Sequence, residues 1–254
     1  MRFAKLHGLG NDFLLLDLRQ GGEPLPSRRA LELCDRHLGV GADGVLTLLP
    51  GSRMRVQNAD GSVPEMCGNG ARCAALWIAT GGCTHPARAQ VDLITDAGPR
   101  PCTVEAEEAR RGLVEVDMGV ARLSPARALG SWEAQPVSMG NPHRVVFVGS
   151  DARRLAADSG QALSLAENAN IEFAERRAPQ RYAVAVWERG AGLTQACGTG
   201  ACAVAAAAVA RGEAKRGEDI VVELPGGSLT IRVDGEDRVR MRGPAELVFV
   251  GELP

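Results

Sequence analysis

Two copies of the tetrapeptide Cys-Gly-x-Gly constrain this sequence more than any other feature. They read Cys67-Gly68-Asn69-Gly70 and Cys197-Gly198-Thr199-Gly200, and they stand 130 positions apart in a chain of 254 residues. Small, helix-tolerant residues follow each copy. The pattern predicts a thiol at a helix N-terminus in each half, where unbonded backbone N–H groups and the helix dipole favour a thiolate and can hold a carboxylate.

The same offset relates other distinctive positions. Gly10-Asn11 corresponds to Gly140-Asn141, each ahead of an apolar run, and Asn58 corresponds to Glu188. The register holds without a gap along this stretch. Several such pairs at one offset predict an internal duplication.

Both halves consist mainly of short apolar or alternating runs bounded by Gly and Pro, which predict strands. These strands are Arg2–Leu6, Phe13–Asp17, Val45–Leu48, Arg53–Asn58, Val91–Thr95, Thr103–Ala106, Val114–Met118, Gln135–Ser138, Val145–Val148, Arg181–Trp187, Ile220–Leu224, Leu229–Val233, Arg238–Met241 and Leu247–Val250. Helices are predicted over Pro26–Leu38, capped by Ser27, over Gly70–Thr80 and around Ala201–Ala210. The fold class is therefore α+β, with two pseudo-symmetric mixed α/β domains, each a sheet wrapped round a central helix, and a boundary near Gly112 to Pro125.

Composition limits the partners. The net charge is −2, and no cluster of basic residues or interleaved aromatics indicates a nucleic-acid partner, so we expect a small molecule. The alanine-rich run is too short to span a membrane. Seven cysteines, an odd count, without a secretory signal pattern favour the reducing cytoplasm. Of 29 basic residues only Lys5 and Lys215 are lysines, and neither has a context that suits a pyridoxal phosphate Schiff base.

The cysteines allow three interpretations. Cys67, Cys73, Cys197 and Cys202 could be zinc ligands, but the Gly-x-Gly openings suit anion binding better than a zinc knuckle. Gly-x-Gly could merely let a helix pack closely on a strand, which leaves the paired thiols unexplained. Alternatively, a pseudo-twofold axis brings the two helix termini together across a cleft, where one thiolate removes a proton from a carbon and the opposite thiol delivers one. The remaining cysteines, Cys34, Cys83 and Cys102, are interpreted with Cys73 and Cys202 as small core residues.

Two residues are candidates to set the protonation of the thiols, His143 and Glu188. Arg189 could clamp a second carboxylate. Glu188 and Arg189 would face opposite sides of a regular strand, so a joint role requires the strand to end or bulge near Gly190.

These motifs together resemble the diaminopimelate epimerase family. The residues that carry the resemblance are His7 to Phe13, Asn58 to Ser62, Glu65 to Cys73, Gly140 to His143, Glu188 to Gly190 and Ala196 to Gly200. They span nearly the whole chain. Proline racemases share the fold but usually carry His where this chain has Asn69.

The resemblance implies an isomerase of two α/β domains, residues 1–112 with 245–254 carrying Cys67 and residues 113–244 carrying Cys197, with the active site in the cleft between them. It implies no cofactor or metal, and a homodimer. Cys67 and Cys197 would be the acid/base thiols, supported by His143 and Glu188. The substrate-binding residues would be Gly68, Asn69, Gly198 and Thr199 at the reacting carboxylate, and Asn11, Asn58, Asn141, Asn170, Glu188 and Arg189 at the distal group.

One segment departs from the family pattern. Many members approach the Asn170 position through His-Pro-x-Phe-Pro, which this chain lacks, so Asn168 is a rival ligand. Two other functions remain open at this point. One is a related cofactor-independent amino-acid racemase with a different distal pocket, and the other is a non-catalytic thiol or metal-binding module on the same fold.

Overall fold

The computed structural model describes residues 1–253, which form two compact units. The first unit comprises Met1–Val116 together with the segment from Gly243 onward, and the second comprises Asp117–Arg242. The last strand of the chain begins in the second unit and continues into the first.

The elements of the first unit are mostly strands, with two helices between them. They are β1 (Arg2–Gly8), β2 (Asn11–Asp17), α1 (Ser27–Cys34), β3 (Gly44–Leu49), β4 (Arg53–Asn58), α2 (Gly68–Ala79), β5 (Ala87–Thr95), β6 (Gly98–Glu108) and β7 (Arg111–Val120), which runs a few residues past the boundary.

The second unit repeats this order with additional short strands. Its elements are β8 (Arg122–Leu123), β9 (Arg127–Leu129), β10 (Trp132–Ser138), β11 (Pro142–Val148), α3 (Ala152–Glu167), β12 (Asn170–Ala178), β13 (Arg181–Glu188), β14 (Gly192–Leu193), α4 (Gly198–Ala210), β15 (Ile220–Leu224), β16 (Gly227–Val233) and β17 (Arg238–Glu252).

Strand pairing is the same in the two units. In the first, β1 and β2 are antiparallel, β2 and β3 parallel across α1, β3 and β4 antiparallel, and β4 and β5 parallel across α2. In the second, β10 to β13 and then β15 follow the identical sequence, with α3 and α4 as the crossovers. The part of β17 beyond Gly243 pairs antiparallel with β1. The predicted fold class and duplication are therefore confirmed.

A central helix lies against the sheet in each unit. Every residue of α4 from Gly198 to Val209 is buried, and the helix contacts β10, β11, β12, β15 and β16. Alanine serves here because it favours a helix and its methyl group lets strands approach on all sides. In the first unit α2 holds the same place, while α1 packs on the opposite face of the sheet over Leu14, Leu16 and Val45.

The predicted α1 is too long at its C-terminal end, and its cap is wrong. The helix ends at Cys34 rather than Leu38 because the Asp35 carboxylate accepts the backbone N–H groups of His37 and Leu38, which turns the chain out of the helix. Pro26 occupies the N-cap position, and Ser27 is the first helical residue without a side-chain capping bond. Helix α3 and strand β12 are absent from the sequence-based prediction.

The gap-free register is also wrong. Phe13 pairs with Gly44 on β3, and its equivalent His143 pairs with Asn170 on β12, so Gly44 corresponds to Asn170 at an offset of 126 rather than 130. The crossover through α3 is shorter than that through α1, and the β12–β13 hairpin is longer than the β3–β4 hairpin. The two differences compensate each other, so that the equivalent residues Asn58 and Glu188 are again 130 positions apart.

Along residues 1–253, no helix has both the length and the apolar character needed to cross a membrane.

Candidate active site

Cys67 and Cys197 are the N-cap residues of α2 and α4. Both have extended backbone conformations, and each sulfur accepts a hydrogen bond at 3.4 Å from the backbone N–H three residues on, that of Gly70 or Gly200. Each sulfur thus takes the place of the usual capping oxygen, at the positive end of a helix dipole. This position favours a thiolate.

The glycines at 70 and 200 are needed for close packing. A Cβ on Gly70 would lie 2.8 Å from Leu46 Cδ2, and a Cβ on Gly200 would lie 3.0 Å from Glu172 Oε1 and 3.2 Å from the Cys197 sulfur. Both distances to the strand side chain are shorter than ordinary van der Waals contact. Gly-x-Gly therefore allows the thiol-bearing end of the helix to sit directly on the strand.

The Cys197 thiol is hydrogen-bonded to the Glu188 carboxylate, which also accepts the Thr194 hydroxyl at 2.5 Å. Burial, and then the negative charge of Glu188, raise the pKa of Cys197 well above its usual range. Loss of water raises the pKa of Glu188 too, against the opposing effect of its hydrogen bonds from Thr194 and Cys197. The proton therefore rests on the Cys197 sulfur, with a carboxylate beside it that can accept a proton.

His143 is fully buried and reaches this thiol through two intermediate side chains. Its Nε2 lies 2.9 Å from Asn141 Oδ1, and Asn141 Nδ2 donates to the Thr199 hydroxyl at 3.4 Å. The Thr199 hydroxyl in turn lies 3.5 Å from the Cys197 sulfur. The structure therefore joins four of the sequence-predicted residues in one network.

Glu172 belongs to the same network and was missed by the sequence analysis. Its Oε1 lies 2.6 Å from His143 Nδ1, and its side chain has no exposed surface. A usable signal was present, because alternate residues of a strand share a face and Glu172 is two positions after Asn170. The strand itself, however, was not predicted.

Asn170 and Asn168 both hold Arg189, in different ways. Asn170 Oδ1 accepts the backbone N–H of Arg189 at 2.8 Å, whereas Asn168 accepts the Arg189 guanidinium through its backbone and side-chain oxygens, each at 3.2 Å. Strand β13 ends at Glu188, and Gly190 follows with φ +85°. The strand thus ends where the sequence required it to end if Glu188 and Arg189 are to act together.

The first unit holds its predicted residues in a simpler arrangement. Asn11 Nδ2 donates to Asp43 at 2.8 Å, Asn69 Nδ2 donates to Asn11 Oδ1 at 2.9 Å, and the buried Arg72 donates to Asn69 Oδ1 at 2.9 Å. Asp43 and Arg72 therefore fix residues that the sequence singled out. Asn58 is the last residue of β4, and its amide donates to the Ser62 hydroxyl in the following turn at 2.9 Å.

The two thiols have different surroundings although the units share one topology. Phe13, Leu46 and Asn58 of the first unit occupy the positions held by His143, Glu172 and Glu188 in the second. The ionisable residues at these positions therefore belong to the second unit alone.

The other cysteines are unlike this pair. Burial raises the pKa of Cys34 to about 11 and that of Cys73 to about 12. All seven cysteines are thiols, and within residues 1–253 no group of three or more His, Cys, Asp or Glu side chains is placed to hold a metal ion.

Solved structures with the same fold are diverse in sequence. A predicted epimerase from Pseudomonas aeruginosa superposes with a TM-score of 0.78 at 19% identity, covering 99% of this chain and 98% of the other. A hydroxyproline epimerase from Agrobacterium vitis, solved with bound trans-4-hydroxy-L-proline, gives a TM-score of 0.77 at 17% identity, covering 100% and 90%. The fold thus defines a class of duplicated mixed α/β proteins that includes these two.

Sequence similarity assigns the family within that class. The family model for diaminopimelate epimerase matches residues 3–124 and 136–248. The diaminopimelate epimerases of Gloeothece citriformis and Synechococcus elongatus are each 42% identical to this chain, covering 99% and 100% of it and 98% of their own length. The chain belongs to the diaminopimelate epimerase family.

Proposed function

We propose that this chain interconverts LL- and meso-diaminopimelate by a two-base mechanism with Cys67 and Cys197. One observation carries the proposal. Within a family match that covers nearly the whole chain, both cysteines cap helices in the same way, each with backbone N–H groups beside the sulfur.

The proposed reaction moves one proton off a carbon and another onto it. The thiolate of one cysteine removes the α-proton, and the electron pair stays on the substrate, delocalised into the α-carboxylate. The thiol of the other cysteine then protonates the opposite face, so the enzyme ends with its proton on the other sulfur. Because burial and Glu188 keep the proton on Cys197 at rest, we assign the first abstraction to Cys67.

The helix N-termini are proposed to bind the reacting carboxylate. The N–H groups of Gly68, Asn69, Gly198 and Thr199 are the donors, and they also stabilise the negative charge that develops as the α-proton leaves. Glu188 accepts the proton of Cys197, and His143 holds the amide and hydroxyl groups beside it.

Polar side chains around these termini are proposed to bind the distal amino-acid group of the substrate. They are Asn11, Asn58, Asn141, Asn170, Glu188 and Arg189. Asn11 and Asn141 each use one amide hydrogen within their own unit and retain a second for substrate. The guanidinium of Arg189 is exposed and matches a carboxylate.

In the cell we propose that the enzyme works in the cytoplasm, as a homodimer without cofactor or metal, in the synthesis of lysine and cell-wall precursors. The names of the relatives and the resemblance of the motifs support this context. Light scattering gives the oligomeric state, and activity after dialysis against a chelator tests the need for a metal.

The activity test uses LL- and meso-diaminopimelate in deuterated water, with proline, glutamate and histidine as control substrates. We expect only diaminopimelate to epimerise, with solvent deuterium at the α-carbon of the product epimer. Cys67→Ala and Cys197→Ala should each abolish turnover, whereas Cys34→Ala, which removes a buried thiol elsewhere, should retain it. Turnover of a control substrate alone, or full activity in either active-site variant, would contradict the proposal.

A further inference from the structure

Arg72 is a fully buried arginine of α2 whose guanidinium donates to three oxygens of the first unit. Its Nη2 donates to Asn69 Oδ1 at 2.9 Å, its Nε to the backbone oxygen of Pro244 at 3.1 Å, and its Nη1 to that of Gly68 at 3.5 Å. Side chains on a helix lean toward its N-terminus, so Arg72 reaches back over the first turn of α2. The guanidinium has little room to move, because even a Cβ on Gly8 would lie 2.7 Å from Nη2.

Arg72 determines which end of the Asn69 amide faces it. A guanidinium only donates hydrogen bonds, so the atom of Asn69 opposite Arg72 Nη2 is the oxygen. The Nδ2 of Asn69 therefore points to Asn11, where it donates to Oδ1 at 2.9 Å. Since the oxygen of Asn11 faces Asn69, the Nδ2 of Asn11 lies on the other side, 2.8 Å from Asp43 Oδ2.

Asp43 gives the same orientation from the opposite end. Its Oδ2 also accepts the backbone N–H of Asp12 at 3.0 Å, and its Oδ1 accepts Arg36 Nη2 at 2.8 Å, two groups that only donate. Asp43 is therefore an acceptor here, and the atom of Asn11 that faces it is the nitrogen. Turning the Asn11 amide over would place its nitrogen against the Asn69 nitrogen and its oxygen against the Asp43 oxygen. The contacts therefore permit one orientation of both amides.

We propose that Arg72 and Asp43 are positioning residues that hold both amides in this orientation. Asn11 then offers an N–H hydrogen to the substrate, because its Nδ2 carries two hydrogens and Asp43 accepts one of them. The acceptors of diaminopimelate are its carboxylate oxygens, so one of its carboxylates is the group that Asn11 binds. A donor that is held in place before the substrate arrives loses less conformational entropy on binding. The role of Asn11 in substrate binding rests on the proposed function, whereas the orientation of the amides rests on the contacts alone.

One pair of substitutions separates the orientation from its effect on substrate. Asn11→Asp keeps the oxygen that faces Asn69 and puts an oxygen in place of the nitrogen that faces Asp43. Two carboxyl oxygens then meet, and the donor to substrate is lost. Adding Asp43→Asn restores a hydrogen bond between positions 11 and 43, now donated from position 43, while position 11 still has no N–H in its side chain.

Thermal unfolding at pH 8 without substrate tests the orientation. Asn11→Asp should lower the melting temperature by about 4 °C, the shift expected in a chain of this size when a partly buried hydrogen bond becomes a repulsive contact. The double variant, Asn11→Asp with Asp43→Asn, should recover about half of this loss or more. A double variant that melts below the Asn11→Asp protein would mean that Asn11 does not face Asp43 through its nitrogen, and would overturn the proposal.

Steady-state kinetics with diaminopimelate test the donor to substrate. We expect KM to rise about tenfold in Asn11→Asp and to stay raised in the double variant, with kcat within about twofold of the parent. Asp17→Ala is the matched control, because this carboxylate accepts Arg19 and the Trp77 indole at the other end of β2. It should lower the melting temperature without changing KM. Recovery of KM in the double variant would refute the role of Asn11 as a donor. If the parent does not turn over diaminopimelate, the proposed function fails, while the melting temperatures still decide the orientation.

Hydrogen exchange of side-chain amides, followed by NMR, tests Arg72 without substrate. The chain has six asparagines, so their amide signals are few. Arg72→Met removes the donors and should speed exchange at Asn69 and Asn11 about tenfold, whereas Asn141 in the second unit should keep its rate. Should Arg72→Met fail to fold, Gly8→Ala displaces the guanidinium with one methyl group and should speed the same exchange. Unchanged exchange at Asn69 and Asn11 in a folded variant would contradict the role assigned to Arg72.

Discussion

Replacing Glu188 by glutamine should make the Cys197 thiol more reactive while making the enzyme slower. The Glu188 carboxylate accepts the thiol proton, and its charge is the second largest cause, after burial, of the raised pKa of Cys197. A charge at this range shifts a pKa by about 1–3 units. Glu188 is partly exposed, so water screens the effect, and we expect about a tenfold rise in thiolate at a fixed pH.

The assay is iodoacetamide labelling of Cys197 in the Cys67→Ala background, followed by peptide mapping at several pH values. Glu188→Gln should label about ten times faster at pH 9. The same substitution in the enzyme with both thiols should lower kcat, because an amide cannot accept the thiol proton. Thr194→Val is the control: it keeps the charge, so labelling should not speed up. Slower or unchanged labelling in Glu188→Gln would refute the electrostatic explanation.

Two further predictions concern other charged groups. Burial raises the pKa of Asp12, but hydrogen bonds from Arg36 and Lys5 outweigh it and hold that pKa at about 2. A lowered pKa stabilises the fold above the unfolded value, and the gain is lost as pH falls from about 4 to 2. Asp12→Asn should therefore cost about 1 kcal/mol at pH 7, and denaturant titrations should show the difference shrinking through that window. Constant destabilisation down to pH 2 would contradict this. Arg189→Lys should raise KM for diaminopimelate several-fold with little change in kcat, because lysine lacks the planar fork that Asn168 holds in place; unchanged steady-state kinetics would remove Arg189 from the binding residues.

Local sequence signals were sufficient for the helices that carry the cysteines. The predicted start of α2 lies within two residues of the observed one, because glycines after a capping residue and a run of alanines act through the backbone of that segment itself. Most strands were found for the same reason, since their apolar runs end at Gly or Pro.

Helix α3 was missed because its buried face is made of small residues. Ala152, Ala156, Gly160 and Ser164 face the sheet, and such a stripe has little hydrophobic contrast with the other side. Gly160 also lowers the local helix propensity by about 1 kcal/mol. Glycine is needed at position 160 because a Cβ there would lie 2.5 Å from the Cβ of Trp187. Only the packed structure shows why a glycine belongs there.

Residue identity and short spacings were sufficient to predict the duplication, the two capping thiols and the residues of the family motifs. Which carboxylates lie near the two thiols depends instead on how strands distant in sequence pair with each other. An alignment at the fixed offset of 130 makes Glu172 equivalent to Ala42. Comparison of the parallel strand pairs in the two units makes it equivalent to Leu46 instead. Strand pairing is set by hydrogen bonds between segments distant in sequence, and compensating changes in loop length leave no trace in a constant offset. For that reason the asymmetry between the two units, with Phe13 and Leu46 in the first where His143 and Glu172 stand in the second, is visible only in the folded chain.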